Sequence, residues 1–112
     1  MNFGILLFFI FGIFNFPEIN SFAATQGDFT IVIKNHQFSP ATLKIPIHKR
    51  VKIAVDNQDP TAEEFESYDL NREKVVNGHK SIIVFLGPLS KGTYKYFGDF
   101  HQSTAQGIIV AQ

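Results

Sequence analysis

The feature that most constrains the fold is an alternation of apolar and polar residues that begins just after Asp28. A period of two gives each run one apolar face, which is the pattern of a half-buried β-strand. Strand-like runs occur at residues 29–34, 42–47, 51–56, 80–86, 93–97 and 107–111. Short strands at this spacing predict an all-β chain that folds as a two-sheet antiparallel sandwich. Only residues 68–76 depart from the pattern, and they are expected to form a short helix or an irregular crossover.

Length and composition set the outer bounds. The chain has 112 residues and no cysteine, so it has room for one domain, which must be held together by its core without disulfides. Basic and acidic side chains number 10 each, which leaves no positive footprint for nucleic acid. Neither nucleic acid nor a small organic substrate is expected as a partner.

The N-terminal segment predicts export. Residues 1–16 form an apolar run without a charged side chain, which is too short and too N-terminal for a confident membrane span. The small residues Ser21, Ala23 and Ala24 follow it, as at a signal-peptide cleavage site. We therefore expect a signal peptide at residues 1–23, a mature domain at residues 24–112, and a periplasmic location. The alternative is an uncleaved anchor, because no Lys or Arg precedes the apolar run.

Residues 94–107, YKYFGDFHQSTAQG, have the spacing of the copper-binding loop of cupredoxins. In those loops two aromatic residues precede a Cys, a His three residues later, an axial Met and a Gly. Here Gly98 stands in the Cys position, His101 in the His position and Ala105 in the Met position. A blue-copper centre needs a thiolate, and the chain has none to offer. Type 1 copper is therefore excluded chemically.

A second stretch, residues 36–59, resembles the opening of a cupredoxin domain. A Phe-x-Pro turn leads into one strand, a tight turn and a second strand that ends in Asn-x-Asp. In copper-binding members the first His ligand lies four residues past that Asp. The corresponding residue here is Glu63, so a carboxylate replaces this ligand as well.

Several motifs taken together resemble one subgroup, the small periplasmic cupredoxin-like proteins that accompany bacterial high-affinity iron permeases. The chain is similar more distantly to the cupredoxin domain of EfeO-type iron-uptake proteins. The motifs are TAEEFES at 61–67, REKVV at 72–76, GPLSKGTYKYFGDFH at 87–101 and TAQG at 104–107.

The resemblance implies a cupredoxin-like Greek-key sandwich of about seven strands and a metal-handling role in iron acquisition. The implied partners are an inner-membrane iron permease and its periplasmic components. Ferrous-iron oxidation is proposed for such proteins, so enzymatic activity stays open. The alternatives are a ferroxidase or electron-transfer component of the permease system, and a metal-free sandwich that serves as an interaction module.

Three glutamates within four positions, Glu63, Glu64 and Glu66, repel one another unless a cation or solvent compensates their charge. On a strand Glu63 shares a face with Phe65, and the other two share the opposite face. If Phe65 enters the core, Glu63 points toward the end of the sandwich where the loops meet. The outward pair is either part of a metal site or a solvated acidic strand end.

Two of the four histidines are candidate ligands. His101 occupies a ligand position of the loop and has Asp99 close by. His36 lies two residues before the Phe of the Phe-x-Pro turn, where it is either a ligand or a surface residue. His48 and His79 lie in turns and are expected to be exposed.

The predicted metal site comprises His36, Glu63, Glu64, Glu66, Asp99 and His101. Glu63 and His101 are expected to bind the ion directly, and Asp99 either adds a ligand or orients His101. His36 and either Glu64 or Glu66 are expected to complete or support the set. A mixed carboxylate and imidazole set suits iron, copper or both.

Overall fold

A computed structural model of the protein describes residues 26–112. The predicted signal peptide at residues 1–23 lies outside the described residues. The strands are β1 Phe29–Lys34, β2 Gln37–Ser39, β3 Thr42–Ile45, β4 Val51–Asn57, β5 Glu63–Ser67, β6 Arg72–Val76, β7 Ser81–Leu86, β8 Gly92–Gly98 and β9 Gln106–Ala111. One 3₁₀ turn, Asp99–His101, follows β8. Within residues 26–112, no helix has the length and apolar character needed to cross a membrane.

The strands form two sheets, one with the order β2-β1-β4-β7 and one with the order β3-β9-β8-β5-β6. This arrangement confirms the all-β sandwich, with nine strands where about seven were expected. The pairs β1 with β4 and β3 with β9 are parallel, so the prediction of a wholly antiparallel sandwich is wrong. Side chains alternate with a period of two in both kinds of strand, and the alternation therefore does not distinguish them.

The prediction of a helix or crossover for residues 68–76 is also wrong. After a turn at residues 68–71, β6 pairs antiparallel with β5 along the edge of its sheet. Four of its five residues are exposed. An edge strand with a single buried residue has no apolar face, so the sequence carries no alternation that could reveal it.

The core fills the space between the sheets with aliphatic side chains and with a group of aromatic rings contributed by both sheets. The ring of Tyr96 stacks on Phe65, with centroids 5.0 Å apart, and Phe38 meets Tyr96 edge-on at 4.9 Å. Both geometries are favourable for aromatic pairs. Because Phe65 is fully buried, the strand that carries it has a fixed inner face.

Four connections meet at one end of the sandwich, which we call the site end: residues 35–36, 58–62, 77–80 and 99–105. Asn57, fully buried at the end of β4, joins two of them. Its amide donates to the backbone oxygens of Thr61 at 2.9 Å, Val76 at 3.2 Å and Asn77 at 3.3 Å. This amide is a buried anchor that ties the loop after β4 to the turn after β6.

Candidate metal centre

Glu63 is the buried centre of the site end, with only 1% of its surface exposed. It lies on the inner face of β5 with Phe65, as the strand period requires. Oε1 accepts hydrogen bonds from the backbone N–H groups of Glu64 and Phe100, both at 2.9 Å. Oε2 lies 2.7 Å from Nδ1 of His101. Both oxygens are therefore partnered, which a buried carboxylate requires.

The position of the Glu63 carboxyl group depends on the missing side chain at Gly98. A Cβ atom at Gly98 would lie 2.6 Å from Glu63 Cδ, 2.7 Å from Glu63 Oε2 and 2.7 Å from Ala105 Cβ. Gly98 has an ordinary φ of −95°, so space rather than backbone conformation makes the glycine necessary. The carboxyl group occupies the volume that a cysteine side chain at position 98 would need.

The residues at this end do not fit a type 1 copper ion. The thiolate is absent from the whole chain, and a carboxylate fills the place where it would stand. The three positions that depart from the copper-binding pattern, Glu63, Gly98 and Ala105, thus adjoin one another in the interior. Any metal ion at this end must be held by nitrogen and oxygen atoms.

His101 and His36 are brought together although 65 positions separate them in sequence. Their rings stack in parallel, with centroids 3.6 Å apart and planes 10° from parallel. The side chain of His101 is 27% exposed and that of His36 is 42% exposed. The two partly exposed imidazoles thus lie together at the surface of the site end, and His101 contacts the buried carboxylate of Glu63.

Asp59 holds His36 in place and was not among the predicted site residues. Its carboxylate accepts the backbone N–H groups of Asn35 at 2.8 Å and His36 at 2.9 Å, and Oδ2 lies 3.4 Å from Nδ1 of His36. Asn35 and His36 have φ values of 53° and 57°, as a tight two-residue hairpin turn requires. The Asn-x-Asp motif was the available signal, because its Asp follows β4 at the site end.

The charge state of Asp59 follows from the same contacts. Burial by itself would raise the pKa of its carboxyl group. The backbone hydrogen bonds from His36 and Asn35, together with the imidazoles of His36 and His101, outweigh burial and lower the pKa below its ordinary value. Asp59 is therefore an ionised partner for the hairpin turn at neutral pH.

The remaining predicted ligands form a separate group, the outer acidic cluster, made of Glu64, Glu66 and Asp99. One carboxylate oxygen from each lies within 4.8 Å of the others. Asp99 accepts a hydrogen bond from the side chain of Gln102 at 2.7 Å. The sequence predicted that Asp99 either adds a ligand or orients His101, and the carboxylate hydrogen-bonded to His101 is that of Glu63.

Two members of the outer acidic cluster, Glu64 and Glu66, have raised pKa values. Loss of hydration, the nearby charge of Glu73 and the carboxyl of Asp99 raise the pKa of Glu64 to about 7. Loss of hydration and the charges of Glu73 and Asp99 also raise the pKa of Glu66. The structure thus divides the six predicted ligands into an inner group, His36, Glu63 and His101, and this outer group.

The sequence belongs to the family of cupredoxin-like domains, whose profile matches residues 4–111. An uncharacterized protein of Rickettsia prowazekii (strain Madrid E) is 50% identical over 80 residues, which are 71% of this chain and 64% of that protein. This chain therefore spans less than two thirds of the length of that relative.

Solved structures show the same fold at low sequence identity. A purple cupredoxin from Nitrosopumilus maritimus is 21% identical, with a TM-score of 0.62 over 76% of this chain and 100% of its own. An amicyanin mutant in its Cu(I) form is 15% identical, with a TM-score of 0.66 over 80% of this chain and 89% of its own. These matches establish a cupredoxin-like fold.

Proposed function

We propose that this protein is an exported metal-binding protein that holds an iron or copper ion at the site end and serves iron uptake. The observation that carries the proposal is the stacked pair of His36 and His101, backed by the carboxylates of Asp59 and Glu63. Half-exposed imidazoles with carboxylate partners are a common arrangement of metal ligands. Amicyanin, which has a similar fold, is solved in a Cu(I) form, and this supports copper as one candidate ion.

The donor atoms decide which ions suit the site. Imidazole nitrogen accepts ferrous iron and divalent copper, and carboxylate oxygen adds affinity for ferric iron. The chain has no cysteine, and its one methionine is Met1, so no sulfur ligand near this end tunes a redox potential as in blue-copper proteins. We therefore favour binding and delivery of an ion over electron transfer.

Calorimetry and chelator competition with Cu²⁺ and Fe²⁺ test the proposal. His101→Ala removes one imidazole, and His36→Asn removes the other while keeping a residue that tolerates the φ of 57°. Both should weaken binding, whereas the control His79→Asn, at an exposed turn with a φ of 58°, should not. Unchanged affinity in the first two variants would rule out the two imidazoles as the binding site.

A further variant separates the two groups of predicted ligands. Glu64→Gln combined with Glu66→Gln removes two of the three carboxylates of the outer acidic cluster. Hard ions such as ferric iron or manganese prefer such oxygen-only sets. Loss of affinity in this variant alone would move the proposed site from the imidazoles to the outer face.

One observation favours a second candidate, a metal-free interaction module. Both oxygens of Glu63 have hydrogen-bond partners without any ion. In the described part of the chain, no buried side-chain polar atom lacks a partner. If the wild-type protein binds neither iron nor copper, the interaction module replaces the metal-binding proposal.

The proposed location of the protein is supported by its N-terminal sequence, and its proposed partners by the resemblance to proteins that accompany iron permeases. We propose that the mature protein begins near Ala24, lies in the periplasm and works with an inner-membrane iron permease and its periplasmic components. N-terminal sequencing of exported protein tests the proposed start near Ala24, and a start at Met1 would contradict it.

Crosslinking in cells that express the permease tests the proposed partners. Oxygen consumption with Fe²⁺ tests ferroxidase activity, which we expect to be absent.

A further inference from the structure

The contact between Glu63 and His101 fixes which nitrogen of the imidazole carries the proton. Glu63 Oε1 already accepts two backbone N–H groups, and Oε2 lies 2.7 Å from Nδ1 of His101. A carboxylate has no proton to give, so the short contact requires an N–H at Nδ1. In the neutral imidazole the lone pair then resides on Nε2.

The burial of Glu63 beside a partly exposed His101 indicates the direction of that lone pair. The side chain of Glu63 is 2% exposed and that of His101 is 27% exposed. The Nδ1 edge of the ring faces the buried carboxylate, so the exposed surface belongs to the opposite edge, which includes Nε2. The available donor atom of His101 therefore faces solvent and not the interior.

His36 repeats the arrangement at the surface. Its Nδ1 lies 3.4 Å from Asp59 Oδ2, its side chain is 42% exposed, and that of Asp59 is 9% exposed. The buried carboxylate again faces Nδ1 and leaves the Nε2 edge outward. In this arrangement the Nε2 edges of both stacked rings, whose centroids are 3.6 Å apart, face solvent.

We propose that the ion binds outside the sandwich, through Nε2 of His101 and Nε2 of His36, while Glu63 and Asp59 act as positioning residues on Nδ1. This inference rests on the proposed metal binding and specifies its ligand atoms. The site is open, so an ion held by two imidazoles can be exchanged with solvent or with a partner. It suits a labile divalent or monovalent transition-metal ion.

Binding through both rings requires the stack to open. A metal lies near the plane of each imidazole that binds it, and two parallel planes 3.6 Å apart do not meet at one ion. His101 is fixed by its contact with Glu63, whereas His36 lies at a hairpin tip with a longer contact to Asp59. His36 therefore turns to complete the site, and His101 keeps its orientation.

NMR of the full chain with ¹⁵N-labelled histidine tests the ligand atoms directly. Without metal, His101 should show a proton on Nδ1. On addition of Zn²⁺ or Cu⁺, both diamagnetic, the Nε2 resonances of His101 and His36 should shift while the Nδ1 proton of His101 remains. Loss of the Nδ1 proton of His101 on metal addition, with the metal on Nδ1 in place of Nε2, would overturn the inference and leave the metal-binding function intact.

Variants add a second readout. In Glu63→Gln the amide carbonyl can still accept the two backbone N–H groups, so its NH₂ faces Nδ1 and should move the imidazole proton to Nε2. Zn²⁺ affinity should then fall by roughly 10- to 100-fold, with circular dichroism reporting that the fold persists. His36→Asn should weaken binding but preserve the Nε2 shift of His101, and the control His79→Asn should do neither. Zn²⁺ and Cu⁺ that shift no histidine nitrogen would refute both this inference and the proposed site.

Discussion

At position 98 the absence of a side chain determines where its neighbours lie. Gly98 ends β8 with an ordinary extended conformation, φ −95° and ψ 112°. In such a strand position alanine is normally more stable than glycine by about 0.5–1 kcal/mol. The contacts of 2.6–2.7 Å that a Cβ atom would make with Glu63 and Ala105 reverse this preference.

We predict that Gly98→Ala lowers the free energy of unfolding by about 1–3 kcal/mol, the usual cost of overpacking a core. Urea unfolding at neutral pH measures it. Gly92→Ala is the matched control in the same strand, because its Cβ would meet Tyr94 only at 3.7 Å or more, an ordinary contact. The control should be neutral or slightly stabilising.

A double-mutant cycle tests whether Glu63 causes the loss. In a Glu63→Ala background the carboxyl group is gone, so Gly98→Ala should cost clearly less than in wild type. Additive effects of the two substitutions would show that Glu63 and Gly98 are not coupled.

Residue positions at the site end were largely predictable, but their contacts were not. Motif spacing identified Glu63, His101 and His36, and the strand period placed Glu63 on the inner face of β5. Spacing contains no information on volume, so it did not reveal that a carboxyl group fills the space beside Gly98. The role of Asp59 was missed because its partners, the N–H groups at residues 35 and 36, are 24 and 23 positions away.

Among the elements, the β1–β2 hairpin depends on a charge from outside it. Its two turn residues direct their N–H groups at the carboxylate of Asp59, which is 7% exposed. Hydrogen bonds to an ionised acceptor contribute more than neutral ones. The orientation of His36 is therefore set by the loop after β4.

We predict that Asp59→Asn lowers the free energy of unfolding by about 1–3 kcal/mol at pH 7. The pKa of Asp59 is lower in the folded protein than its ordinary value of 3.8. Its stabilisation is thus complete above pH 3.8 and is lost as the pH falls through the lower folded value. Acid unfolding curves of wild type and variant should therefore converge at low pH.

Asp28→Asn serves as the control for Asp59→Asn. Asp28 accepts one backbone N–H, from Lys52 at 2.9 Å, in an exposed position. Its loss should cost less, because water can replace an exposed partner. Equal losses at both sites would contradict the special role of Asp59.

Strand β5 separates two electrostatic environments on its two faces. Glu63 faces inward to three hydrogen bonds, whereas Glu64 and Glu66 face outward beside Glu73, which pairs with Glu66 in register. Like charges directly opposite on neighbouring strands are destabilising. The outer face is therefore less stable when fully ionised.

We predict that the wild-type protein becomes less stable as the pH rises from about 4.5 to 7, the interval between the ordinary and raised pKa of Glu64. In this range the Glu64 carboxyl group is more protonated in the folded state than in the unfolded state, so its contribution to stability falls with rising pH. Glu64→Gln should flatten the slope and raise the melting temperature at pH 8. An unaltered slope in Glu64→Gln would contradict the prediction.

The strands themselves were predictable where one face is buried and unpredictable where none is. Alternation located β1, β3 and β4, each with buried residues at every second position over most of its length. It failed at β6, whose exposure removes the pattern. It also could not specify partners, since the pairing of β3 with β9 joins residues 66 positions apart.

At the scale of the whole molecule, the same sandwich of strands occurs with different residues at the site end. The sandwich matches copper-containing amicyanin with a TM-score of 0.66 at 15% identity. The shared part is the layered arrangement of strands, which many apolar sequences satisfy. The chemistry at the site end depends on few residues and can change while the frame stays, because function belongs to sites grafted on folds.

This separation leads to a final prediction about copper. Cu²⁺ added to the wild-type protein should give no intense thiolate-to-copper absorption band, because the chain has no thiolate. The single variant Gly98→Cys should also lack the band. Its Cβ would overlap the Glu63 carboxyl group, and position 63 would still offer a carboxylate and no imidazole. Glu63→His, Gly98→Cys and Ala105→Met together should restore the band, because they replace the Glu63 carboxyl group and supply two imidazoles, a thiolate and a thioether. The matched control, Glu63→His with Ala105→Met, lacks only the thiolate. An intense band in the Gly98→Cys single variant would show that Glu63 does not block the site, and a folded triple variant without the band would show that these three positions are insufficient.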